Sequence, residues 1–191
     1  MEIFTLVTGV IYIILEIRQK NFMWVVGLLT SLTAMYVFYR QGLYASFGLN
    51  LYYFAVSFWG LWSWRRQKIR MAEEDTEADA IHLNRITWSV LLLSAVAVVG
   101  GTVLLASLME MLENPMSYMD ASVAVLSAVA TWWLGRSYLQ QWWLWIAADA
   151  MSTVLCASMG LWWMAVLYAV YALSAVYGLI YWKKKGVYLK L

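Results

Sequence analysis

The sequence predicts an all-α membrane protein with seven transmembrane helices, arranged as two parallel three-helix repeats joined by a linking helix. Three observations carry that prediction. The chain is 64% hydrophobic and 13% charged, against about 25% charged for a globular domain. Its apolar residues form near-continuous runs, and a hydrocarbon core of about 30 Å takes roughly 20 helical residues to cross. These runs lack the short alternating segments of a β-barrel. Finally, a tract near the N-terminus returns near the C-terminus in the same order. Gly42-Leu43 matches Gly160-Leu161, and the same offset pairs Tyr53 with Tyr171, Gly60-Leu61 with Gly178-Leu179, Trp64 with Trp182, and Arg65-Arg66 with Lys183-Lys184. Upstream it pairs Glu2 with Asp120 and Arg18 with Arg136, while a shift of three residues aligns Trp24 with Trp145.

Taken in order, the runs place spans at 2–17, 22–39, 43–64, 87–109, 118–135, 141–159 and 161–182. The first lacks a basic leader and a small-residue cleavage site, so it reads as a retained span and not as a signal peptide. Glu16 and Arg18 at its end read as solvated interface charges. Spans one to three and five to seven are the repeated triplets. The fourth has no counterpart, and geometry requires it: two copies of like orientation must start on the same face, and three spans alone leave the chain on the opposite one. The expected divisions are 1–66 for the first repeat, 67–116 for the linker with its connecting helix, and 117–191 for the second repeat. Within the linker, a basic cluster precedes the acidic stretch Glu73–Asp79, a pattern expected of a solvated connector. The outer loop from Glu110 to Pro115 carries the only proline, suited to a turn.

Orientation follows from the basic residues. Twelve of the 13 fall on one side, among them Arg18, Arg65, Arg66, Arg136 and Lys183 to Lys185; Arg40 is alone on the other. This bias predicts a cytoplasmic C-terminus and linker and an external N-terminus.

Composition also excludes functions. One cysteine, Cys156, forms no intramolecular disulfide. One histidine, His82, builds no histidine metal site alone. There is no Walker A stretch and no HExxH, so the chain is not expected to be an enzyme or to need a metal or cofactor. The basic residues trace a topology and form no nucleic-acid patch.

Asp149 is the residue most open to a chemical role. It lies eight residues into span six, about 12 Å deep at 1.5 Å per residue, where a carboxylate costs roughly 2.5–3.5 kcal/mol and must face the bundle interior or a wet cavity. Helical spacing puts Gln141, Trp142, Trp145, Ser152, Thr153 and Cys156 on or near its face. Asp149 serves either a ligand or another helix as acceptor. Trp142 and Trp145, spaced i, i+3, either clasp a flat ring or belong to an interfacial aromatic belt. A second stripe, on span three, holds Asn50, Tyr53, Ser57, Gly60 and Trp64; for Asn50 an interhelical hydrogen bond is the alternative to ligand contact.

The run Gln141-Trp142-Trp143-Leu144-Trp145, followed by Asp149, resembles the W-x-x-W signature of the Pnu family of B-vitamin transporters. Asn50-Leu51-Tyr52-Tyr53 with Gly60 to Trp64 is similar to that family's matching element, and the duplicated triplets in 191 residues fit as well. The resemblance implies facilitated uptake of unphosphorylated nicotinamide riboside across the bacterial inner membrane, made unidirectional by a cytoplasmic kinase. It implies that Trp142 and Trp145 sandwich the aromatic ring beside Gln141 and Asp149, with Asn50 and Tyr53 approaching from the other bundle. Riboside carriers of the family usually have Asn where this chain has Gln141, and Gln where it has Asn50. Each change keeps an amide but alters its reach, which leaves thiamine, another cationic ring, as an alternative substrate. A vitamin-binding subunit of a multi-component importer is a further alternative. The implied partners are the vitamin, the lipid bilayer and the kinase, and self-association into a homo-oligomer is left open.

Overall fold

A computed structural model describes residues 11–41, 44–73, 80–111 and 118–188. Within them, the helical residues 11–17 form the end of α1. There follow α2 (Phe22–Gln41), α3 (Tyr44–Glu73), β1 (Ile81–Leu83), α4 (Trp88–Met111), α5 (Tyr118–Gly135), α6 (Gln141–Ser158), α7 (Trp162–Lys185) and β2 (Gly186–Tyr188). The chain is thus helical with seven helices, as expected. Three described helices are both long and apolar enough to cross a membrane: Phe22–Arg40, Trp88–Met111 and Trp162–Lys185. The remaining runs fall short of that test for local reasons. α3 carries Asn50, Tyr52, Tyr53 and Ser57 within its apolar stretch, α5 opens with Asp120, and α6 contains Gln141 and Asp149. Glu2, Gly42-Leu43, most of the acidic stretch and Pro115 lie outside the described residues.

The chain separates into two compact units. The first comprises residues 1–84, 134–137 and 185–191. In it α2 packs along α3, and Trp24 meets Trp64 edge to face at 5.2 Å. Gly60 makes this possible, because a Cβ there would lie 2.6 Å from the Trp24 ring. The far end of this unit is a polar knot. β1 pairs with β2 in parallel, with His82 opposite Val187. On its other side, the side chain of Gln19 takes the place of a third strand: Oε1 accepts from the His82 N–H at 2.9 Å, and Nε2 donates to the His82 carbonyl at 3.0 Å. The same Nε2 reaches Ser137 Oγ at 3.1 Å. Trp64 Nε1 donates to the Leu134 carbonyl at 3.0 Å.

Two expectations are corrected here. The linker is not solvated throughout, since Ile81, His82 and Leu83 are all buried. Glu16 is buried as well and is no interface charge. At 81–83, residues written as polar loop are drawn under the ends of the helices by backbone pairing, which hydropathy does not report.

The second unit comprises residues 85–133 and 138–184. Trp142 meets Trp182 edge to face at 5.4 Å, and a Cβ on Gly178 would lie 2.5 Å from the Trp142 ring. Trp133 Nε1 donates to Ser94 Oγ at 3.0 Å, tying α5 to α4. α6 ends in a Schellman turn: Gly160 takes φ +74°, its N–H bonds the Ala157 carbonyl, and the Leu161 N–H bonds the Cys156 carbonyl. α4 and α7 turn large apolar side chains outward, including Leu92, Val96, Leu104 and Leu173. A water-soluble surface does not present such continuous apolar faces, and a bilayer requires them.

Candidate functional site

The only carboxylate within α6 is Asp149, 9% exposed and therefore largely removed from solvent. Helical periodicity sets Trp145 one turn before it and Gln141 two turns before. Gln141 is fully buried, yet among the described residues neither its Oε1 nor its Nε2 has a hydrogen-bond partner. Trp145 Nε1 is buried and unpartnered in the same sense. Ser152 and Thr153 satisfy their hydroxyls internally, bonding the Ala148 and Asp149 carbonyls at 2.9 and 2.8 Å. Unsatisfied buried groups occur elsewhere too, Trp24, His82 and Trp142 among them, but on this stripe Gln141 and Trp145 lead to a carboxylate. A buried amide costs about 1–3 kcal/mol when left without a partner, so such a stripe calls for a polar occupant.

From α7, Tyr168 and Tyr171 lie near Asp149, and Tyr168 also lies near Cys156. The two phenol rings meet edge to face at 6.1 Å. Sequence reading singles out Tyr171 only as the match of Tyr53 and passes over Tyr168. The available signal was the offset itself, which places Tyr168 on Asn50, a residue already noted.

Trp142 sits differently from Trp145. It is 2% exposed and fixed between Trp182 and Gly178, as Trp24 is fixed between Trp64 and Gly60. These two sets stand at one constant offset of 118 residues, the separation of Gln19 from Ser137. The turns that precede them repeat as well. Gln19 and Ser137 are the two described non-glycine residues at positive φ, 49° and 56°. The bonds Gln19 N–H to Glu16 C=O and Lys20 N–H to Leu15 C=O recur as Ser137 to Leu134 and Tyr138 to Trp133. No shift of three is needed. Trp24 corresponds to Trp142, and the position corresponding to Trp145 is Gly27.

That correspondence lets the two stripes be compared position by position. In the first unit Gly27 lies so near Ser57 that an added Cβ would be 2.7 Å from its Oγ, and Ser31, at the position of Asp149, bonds its own helix at the Gly27 carbonyl. Met23, at the position of Gln141, is fully buried. The first copy of the stripe therefore has no carboxylate or amide, and its one hydroxyl is satisfied within α2. Asn50 and Tyr53, the candidates on α3, are half-buried in that first unit, and both take part in further interactions.

The family model described as nicotinamide mononucleotide transporter matches residues 1–184. The nicotinamide riboside transporter PnuC of Neisseria mucosa is 28% identical over 187 residues, covering 93% of this chain and 70% of that protein. The protein of the same name from Escherichia coli K12 is 24% identical over 196 residues, covering 92% and 82%. A crystal structure of the vitamin B3 transporter PnuC superposes with a TM-score of 0.68 at 28% identity, over 94% of this chain and 78% of that one. With nearly its whole length matched, and with the helical fold shared, the chain belongs to the nicotinamide mononucleotide transporter family.

Proposed function

We propose that this protein is a facilitated carrier of nicotinamide riboside across the bacterial inner membrane, with intracellular phosphorylation keeping the imported vitamin inside. Two relatives over 90% of the chain bear the name nicotinamide riboside transporter. The observation that carries the reading is the α6 stripe: a buried amide and a buried indole N–H without partners, leading to one carboxylate. A cationic pyridinium ring suits it. The ring gains roughly 0.5–2 kcal/mol against an indole face, and the carboxylate supplies its counter-charge. We assign ligand contact to Trp145, Gln141 and Asp149. Asn50 and Tyr53 of α3 keep their assignment as substrate contacts. Trp142 we assign to setting the position of α6.

The family description names the mononucleotide, whereas the named relatives carry the riboside. Charge favours the riboside here. α6 has no basic residue in its first or last turn, so a phosphate would meet Asp149 without compensation. Thiamine shares the cationic ring and is the rival substrate, since Gln141 and Asn50 differ in reach from the residues usual in riboside carriers.

The architecture that goes with this reading is three plus one plus three spans, divided near 66 and 116, with the basic end of the bundles in the cytoplasm. Purified protein in liposomes should equilibrate labelled nicotinamide riboside without any added energy source. A lone chain that binds the vitamin tightly but moves none would instead make it a binding subunit. Competition by thiamine stronger than by the riboside would reassign the substrate.

A further inference from the structure

The polar end of the first unit holds a cavity of about 310 Å³, lined by Trp59, Trp62, Arg66, Gln67, Arg70 and Arg136 together with Ser63 and Asn84. Nothing in the carrier reading uses it. Its volume is at the lower end of the range for small-molecule sites. Three arginines line it, and no acidic side chain does so among the described residues. Arg66 and Arg70 lie four apart on α3, so their charges share one face and repel each other.

The guanidinium groups are also arranged. Arg66 stacks over Trp62 at 5.4 Å and Arg136 over Trp59 at 5.6 Å, which restrains both planes. Beneath them runs an amide chain. Asn84 Nδ2 donates to Gln67 Oε1 at 3.1 Å and to the Arg136 carbonyl at 2.7 Å, while Gln67 Nε2 donates to Ser63 Oγ at 2.7 Å. These bonds tie α3, the residue after β1 and the 134–137 turn into one preset frame. Preset donors bind more tightly because little ordering is left to be done.

Location narrows the ligand. α3 has 30 residues, about 45 Å at 1.5 Å per residue, so its last turns extend past a hydrocarbon core of about 30 Å. Trp59 and Trp62 then fall at the interface, where tryptophan is enriched, and the arginines fall at headgroup level. Planar guanidinium forks match phosphate oxygens two at a time.

We propose that this cavity binds a phosphate group, carried either by an anionic lipid headgroup or by a soluble nucleotide. The two sources share one chemistry and are separated by experiment. Detergent-purified protein would be titrated with inorganic phosphate and with adenosine monophosphate, using adenosine and chloride of equal ionic strength as controls, and melting would be followed. In parallel, the protein would be placed in nanodiscs of phosphatidylcholine with or without phosphatidylglycerol, and bound lipid counted by native mass spectrometry. A melting shift with adenosine monophosphate but not adenosine identifies a soluble ligand. Retention of phosphatidylglycerol with no such shift identifies the lipid. In either arm R66Q/R70Q should weaken binding at least tenfold, and R66K/R70K, which keeps charge but loses the forks, should weaken it by an intermediate factor. Because both positions are exposed, the variants should fold. Absence of response in both arms, or equal response in wild type and R66Q/R70Q, would overturn the assignment. Riboside uptake by the same variants reconstituted in liposomes reports on the carrier reading separately.

Discussion

His82 shows how much a single side chain contributes to the polar knot. Its backbone is bonded on one side by the Gln19 amide and paired on the other with β2. Its ring is fully buried beside Trp64, and neither ring nitrogen has a hydrogen-bond partner among the described residues. Burial, with a smaller push from the Lys68 ammonium, depresses its pKa from 6.5 to about 3. A depressed pKa means that the unfolded chain takes up a proton below about 6.5 while the folded one does not. The stability His82 contributes is therefore fully present above that pH and lost as pH falls toward 3, at no more than about 1.4 kcal/mol per pH unit. Melting temperature measured from pH 7 to 4.5 should fall in the wild type and fall distinctly less in His82→Phe. Equal slopes would show that acid sensitivity arises elsewhere. Gln19→Leu should cost about 2–3 kcal/mol at neutral pH, because it leaves the buried His82 N–H and C=O without partners. Loss of melting cooperativity at room temperature would mark the knot as indispensable.

At the scale of elements, one packing device occurs twice, and the stripe assigned to the ligand occurs once. Each tryptophan–glycine–tryptophan set, Trp24/Gly60/Trp64 and Trp142/Gly178/Trp182, clamps a helix pair. Gly60→Ala and Gly178→Ala should each destabilise by about 1–3 kcal/mol, since a methyl cannot enter without displacing an indole. Trp142→Ala should act chiefly on melting temperature. Trp145→Ala should leave it nearly unchanged but weaken riboside binding roughly tenfold. An affinity loss in Trp142→Ala with unchanged melting would return that residue to the binding site. The sequence makes the α6 stripe legible because a 3.6-residue period needs no tertiary knowledge. It also makes the duplication legible, yet the pairing of Trp24 with Trp145 comes out three residues wrong. Tryptophans crowd the start of α6, and identity alone does not say which indole meets a glycine. β1 and β2 are not legible at all. Three residues such as Ile81-His82-Leu83 show no period, and their partners lie at the other end of the chain. The left-handed turn at Gln19 has no local signal either, because glutamine carries none of the usual preference for positive φ.

Across the whole molecule, apolar composition announces a membrane protein, but the balance between its halves announces what kind. The first unit closes its copy of the stripe with Gly27 against Ser57 and keeps Met23 buried there. The second replaces those positions with Trp145, Asp149 and Gln141. The two units thus share their tryptophan–glycine clamps and differ at this one polar stripe, to which the proposed function assigns recognition. From this follows an expectation for transport. With no nucleotide-binding motif in the chain, uptake into liposomes should stop when internal and external riboside are equal, and an imposed pH gradient should not move that endpoint. Asp149→Asn should reduce uptake at low substrate by at least tenfold, because it removes the charge proposed to face the pyridinium but keeps the volume. Nicotinamide mononucleotide should compete poorly in the wild type, and less poorly in Asp149→Asn, where repulsion of its phosphate is relieved. Accumulation above the external concentration, or mononucleotide competing as well as riboside in the wild type, would assign the carboxylate a different task.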